Sequence, residues 1–132
     1  MTGDASLTGL WHGLYHYPAL LAPVFFTATL ISHGPGLSGS TTERATGLRD
    51  RWARTVSASL SGQVGEGVVS FVKTYDGTGG WRHAVSYEGR LSGDRTEIEG
   101  TWRVPGDWRG RFLMVRAERM GEAELRRAFK KA

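Results

Sequence analysis

Three ionisable side chains, Glu43, Lys73 and His83, lie in stretches otherwise rich in aromatic, apolar and small residues. Side chains alternate across a β-strand, so every second residue shares a face. Lys73 then falls in the set Val69, Phe71, Lys73 and Tyr75, and His83 in the set Trp81, His83, Val85, Tyr87. A carboxylate, an amine and an imidazole among rings can move protons, or can hydrogen-bond the polar part of a mostly apolar ligand. An inward Lys73 requires a partner, because an unpaired buried charge is costly. Glu43, a tyrosine hydroxyl or an anionic ligand would serve. The phase of that run is open: the opposite face would carry Val68, Ser70, Val72 and Thr74 and would turn Lys73 to solvent. For His83 the ordinary role is a hydrogen-bonded core or pocket histidine, with acid–base work as the alternative.

His12 and His16 share a strand face but stand about 13 Å apart, too far to hold one metal. With His33 in a turn, no metal site is expected. No nucleophile elbow, phosphate loop or paired-carboxylate motif occurs, so no catalytic residue and no cofactor is assigned.

The elements that would position these groups are strands. Turn-forming clusters of Gly, Pro, Asp and Ser separate eight runs, roughly 8–17, 24–32, 37–43, 52–60, 68–75, 81–91, 96–104 and 108–117. A seven-residue pattern, Gly-x-Trp-x-Gly-x-aromatic, occurs at Gly9–Tyr15 and again at Gly106–Phe112. Matching small and aromatic positions at both ends predict a first and a last strand that meet, and a sheet closed in this way has no exposed edge. The fold class read from the sequence is all-β: an eight-stranded antiparallel up-and-down β-barrel with a short C-terminal α-helix. One domain is expected over 1–132, with the barrel at about 8–117 and the helix at about 119–131. That last segment is rich in helix formers, and Leu125, Ala128, Phe129 and Ala132 make an apolar stripe. It should pack outside the barrel or against a partner.

Composition narrows the function classes. Glycine provides 19 of 132 residues, about twice the usual share. There is no cysteine, which excludes disulfides, thiolate zinc sites and thiol nucleophiles. Met1–Thr8 lacks a basic stretch followed by an apolar one, so no signal peptide is read and a cytoplasmic location is expected. Ala19–Ile31 is too short to span a bilayer as a helix, and no membrane partner is expected. Of the net charge of +4, +3 resides in residues 119–132, leaving +1 on the other 118. A nucleic-acid-binding barrel would carry a basic face on its body, so no nucleic-acid partner is expected.

Gly9-Leu10-Trp11 opening the first strand and Arg116 closing the last resemble the calycin superfamily, the barrels of lipocalins, fatty-acid-binding proteins and avidins. Phe26–Leu30 followed by Gly36–Glu43 is also similar to the second avidin hairpin. The resemblance implies barrel closure by Arg116 stacked across the Trp11 indole. It also implies a tendency to bind small apolar or aromatic molecules. Fatty-acid-binding barrels hold a carboxylate with interior Arg and Tyr, a role that Tyr15, Tyr87 and Arg116 would mimic here. Where avidins place polar biotin ligands on the first strand, this chain has Gly13, Tyr15 and Tyr17.

The expected function is therefore a soluble barrel holding an apolar or aromatic small molecule in its lumen. The expected lining is Tyr15, Tyr17, Glu43, Phe71, Lys73, Tyr75, His83, Tyr87 and Trp102. Two alternatives stand beside it: a filled barrel serving as a protein-interaction or assembly domain, and a lumen enzyme using His83 or Glu43 as acid or base. The sequence leaves a homo-oligomer open.

Overall fold

Burial alternates along the strands as period-two patterning requires. In one strand Val69, Phe71, Lys73 and Tyr75 are buried while Val72 and Thr74 are exposed. The computed structural model describes residues 6–16, 23–45, 54–77, 82–106, 108–121, 123–125 and 127. Eight strands are β1 (Gly9–Tyr15), β2 (Val24–His33), β3 (Gly36–Ala45), β4 (Arg54–Gly65), β5 (Val68–Tyr75), β6 (Ala84–Leu91), β7 (Glu97–Arg103) and β8 (Arg109–Arg116). Each pairs antiparallel with the next, and β8 returns to β1, closing an up-and-down barrel. The seam sets Trp11 opposite Arg116, Gly13 opposite Met114 and Tyr15 opposite Phe112. The repeated Gly-x-Trp segments thus lead into the two strands that meet, although Trp108 itself lies just before β8 and is 48% exposed.

The inward faces make one core that includes Trp11, Leu30, Leu37, Val69, Ile98 and Met114 at one level and Tyr15, Phe26, Tyr75 and Trp102 at another. Glycines opposite these rings admit them. A Cβ at Gly13 would strike the Phe26 ring, and one at Gly110 would strike the Trp102 indole and the His16 carbonyl. Small residues at these points let neighbouring rings lie flat against the wall of the barrel.

Two expectations change. The fourth strand continues through residues 61–65, which the sequence reading assigned to a turn. The reversal occurs instead at Glu66 and Gly67, both at positive φ (53° and 78°), as a two-residue hairpin with the strands' own twist requires. The sixth strand begins at Ala84. His83 precedes it and is exposed, so it is not the inward core residue expected. At the C-terminus the described helical residues are Ala123–Leu125 and Arg127, while residues 117–119 form a turn in which the Arg119 N–H donates to the Arg116 carbonyl. Leu125 is buried against Leu14 and Val115, with Phe25, Leu113 and Met120 beside them. Leu14, Phe25, Leu113 and Val115 belong to the outer face of β1, β2 and β8, so the helical residues around Leu125 cover an apolar patch outside the barrel, as anticipated.

Candidate functional site

The two ends of the barrel differ. At one end β2–β3 and β4–β5 are joined by two-residue loops, 34–35 and 66–67. The preceding segment folds over this end. Leu7 is fully buried, its carbonyl accepts from Trp11 Nε1 at 2.9 Å, and Thr8 Oγ1 accepts from the Ser32 N–H at 2.9 Å. Arg116 closes it. Its guanidinium lies 4.8 Å from the Trp11 ring centroid and donates to the carbonyls of Ser6, Thr8 and Arg95. Three carbonyls and an indole face match a planar donor fork better than they would an ammonium. The closure contact anticipated for Trp11 and Arg116 is therefore present. It also removes Arg116 from any carboxylate-holding role with Tyr15 and Tyr87, which lie further along the barrel.

The opposite end carries the connections 16–23, 46–53, 76–83 and 104–108. Toward it, the ends of β1, β3 and β5 bring Tyr15, Glu43, Lys73 and Tyr75 together inside the barrel. Lys73 is fully buried and Glu43 nearly so. Lys73 Nζ donates to Glu43 Oε1 at 2.8 Å and to Tyr87 Oη at 3.4 Å. Tyr75 Oη donates to the same carboxylate oxygen at 3.0 Å, and Tyr15 Oη donates to Oε2 at 2.5 Å. Glu43 thus accepts three hydrogen bonds, the condition under which a carboxylate tolerates burial.

Rings enclose the ammonium. Nζ stands 4.8 Å from the Tyr15 and Phe26 centroids, 5.0 Å from Tyr75 and 5.5 Å from Tyr87. A ring's π-face is negative and favours a cation, whereas Tyr87 meets the ammonium through its hydroxyl. Burial pushes the Lys73 pKa below its ordinary value, while attraction and hydrogen bonding to Glu43 pull the other way. A further layer holds the rings: Phe71 stacks on Tyr87 at 4.9 Å and 11°, and Phe112 meets Tyr87 edge-on at 4.8 Å. Trp102 meets Tyr15 edge-on at 5.9 Å and donates its indole N–H to the His16 carbonyl at 2.9 Å.

Of the residues expected to line the lumen, the structure gathers Tyr15, Glu43, Phe71, Lys73, Tyr75, Tyr87 and Trp102. The open phase of β5 resolves with Lys73 inward, and two of the anticipated partners, Glu43 and tyrosine hydroxyls, hold it. His83 is instead at the exposed margin, its ring 4.7 Å from that of Tyr75. Tyr17 lies outside the described residues. One inward group had not been singled out: Thr41, two residues before Glu43 on the same face of β3 and 1% exposed, has a hydroxyl oxygen with no hydrogen-bond partner. Its cross-strand neighbours are Ala28 and Ala58, both small. The period-two step back from Glu43 was the signal that could have found it.

Among the described residues, no group of His, Asp and Glu could hold a metal ion, and no helix is long and apolar enough to cross a membrane. Outside the barrel, an open groove of about 900 Å³ crosses β4–β8, lined among others by Ser70, Ser86, Thr101, Arg103, Arg109 and Arg111. No family model matches the chain, and no curated protein matches it in sequence.

Proposed function

We propose that this protein is a calycin-like binding barrel. It takes a small, largely apolar or aromatic molecule among the inward rings, with the ligand's polar group held by Tyr15, Glu43, Lys73, Tyr75 and Tyr87. The observation that carries this reading is the Glu43–Lys73 pair inside the core. Well-packed apolar side chains of similar volume would hold a barrel as well or better than a buried ion pair. A polar constellation at the end with the longer connections is therefore best understood as a recognition element. The unpartnered Thr41 hydroxyl nearby offers a further hydrogen bond to an interior guest.

The reading is tested with cinnamyl alcohol, decanol and decanoate, which pair an aromatic or aliphatic apolar body with a hydroxyl or a carboxylate. A binder is expected to raise Tm by about 10 °C at roughly a hundred times its Kd. It should also change a tryptophan emission component that Trp102→Phe removes. No shift with any of the three would end the proposal. It would favour the second reading, a filled barrel acting in assembly, which the rings laid over Gly13 and Gly110 support.

A further inference from the structure

We infer that Lys73 is a carbonyl-capturing amine, forming an imine with an apolar aldehyde inside the barrel; this rests on the interior binding site proposed above. The first observation is one of residue choice. Lysine occurs only at positions 73, 130 and 131, and all other basic charge outside the histidines is arginine. An arginine could pair Glu43 with two parallel hydrogen bonds and lie among rings at least as favourably. What lysine alone offers is an amine that can release its proton and attack carbon.

The second observation is geometric. Nζ has a proton acceptor in contact, Glu43 Oε1 at 2.8 Å, and that acceptor is itself held by Tyr75 Oη and, through its other oxygen, by Tyr15 Oη. Four rings stand within 5.5 Å of the nitrogen. An apolar aldehyde suits that enclosure, and the enclosure excludes the water that would reverse an imine. Burial also favours the neutral amine over the ammonium.

The steps balance without an added reagent. Glu43 takes one proton from the Lys73 ammonium, leaving a neutral amine and a carboxylic acid. The nitrogen lone pair attacks the carbonyl carbon, forming the C–N bond as the C=O π pair moves to oxygen. Glu43 relays a proton from nitrogen to that oxygen, giving a carbinolamine. The acid then protonates the hydroxyl, which departs as water as the nitrogen lone pair forms C=N. The resulting iminium carries the charge that the ammonium had, and Glu43 is again its counter-ion, within the same rings.

The test uses the full chain with cinnamaldehyde or decanal, reduction by cyanoborohydride, proteolysis and mass spectrometry. Lys130 and Lys131 are internal reference amines in the same molecule. Labelling of Lys73 is expected to saturate with aldehyde and to exceed labelling of the reference lysines. Glu43→Gln should slow it by on the order of a hundredfold, the usual contribution of a positioned acid–base group. Labelling confined to Lys130 and Lys131 overturns the inference, and this comparison needs no variant to fold. The matching alcohols separate the two claims. Cinnamyl alcohol or decanol binding with Lys73 unlabelled sinks the imine alone, whereas no binding of either alcohol or of decanoate and no Lys73 adduct sinks the interior site with it.

Discussion

Removing one partner of the Glu43–Lys73 pair strands the other charge among aromatic rings. Lys73→Met or Glu43→Gln should each destabilise the barrel by about 3–5 kcal/mol, the range for broken buried pairs. The double variant should cost less than the two combined, with a coupling of roughly 2 kcal/mol from urea unfolding of all four proteins. Strict additivity would mean that the two charges do not depend on each other. A second residue-scale effect concerns pH. Burial and, to a smaller extent, the Arg111 charge lower the His16 pKa from 6.5. Below 6.5 the unfolded chain therefore takes up a proton that the native His16 resists. The His16 contribution is thus retained above 6.5 and lost as pH falls through the native pKa. Urea midpoints measured downward from pH 7.5 should decline less steeply in His16→Gln than in the parent chain, and equal slopes would refute this assignment.

The strands themselves impose the next level of constraint, and two elements close what they leave open. Arg116 joins the end of β8 to the segment before β1 through the Ser6 and Thr8 carbonyls, to the β6–β7 connection through the Arg95 carbonyl, and to β1 through the Trp11 face. Arg116→Ala should cost about 3 kcal/mol, since charged hydrogen bonds and a desolvated indole are lost together. Arg116→Lys should recover less than half, because an ammonium cannot reproduce the fork; full recovery in urea unfolding would show that charge alone closes the barrel. On the outside, Leu125→Ala should cost about 2 kcal/mol by uncovering Leu14 and Val115. Much of this was legible in the sequence, because period-two alternation fixes a face wherever one side is polar. Glu97, Glu99 and Arg103 against Ile98, Gly100 and Trp102 settled β7 in this way. In β5 both faces carry apolar and polar residues, so alternation alone could not orient Lys73; burial against Glu43 from β3 decides it, and that contact spans 30 positions. In β4 the Ser-Gly composition of residues 61–65 mimicked a turn, but Gly62 is required inside the strand, where a Cβ would meet the Ser70 carbonyl and the Phe71 backbone. His83 differs because its run of alternating residues extends past the start of β6 at Ala84: its carbonyl still accepts from the Tyr75 N–H at 3.1 Å, but its side chain is exposed.

Closure makes the whole molecule more than seven hairpins in series. Seven of the eight strand pairs join sequence neighbours, while β1–β8 joins residues about a hundred positions apart, as in Trp11 with Arg116. Bringing those ends together carries the largest loop entropy in the fold, so this pair is expected to form late. Once formed, it has the same environment as any other pair: Trp11 and Met114 are fully buried within, and Leu14 and Val115 are covered by Leu125 without. A closed sheet has no fraying edge. Amides in the β1–β8 ladder should therefore exchange with solvent only through global opening, with the same free energy as amides in the β3–β4 ladder. Native-state hydrogen exchange over a urea series checks this directly. Protection in Gly13–Tyr15 and Phe112–Val115 should converge on the global unfolding line. If these amides instead exchanged about a hundredfold faster than those of β3–β4, a difference of roughly 2.7 kcal/mol, the barrel would open locally at its seam. The proposed interior site would then have its entrance there rather than at the end with the longer connections. Leu125→Ala distinguishes the two cases, because uncovering the seam from outside should lower protection of β1–β8 selectively only if local opening already contributes to it.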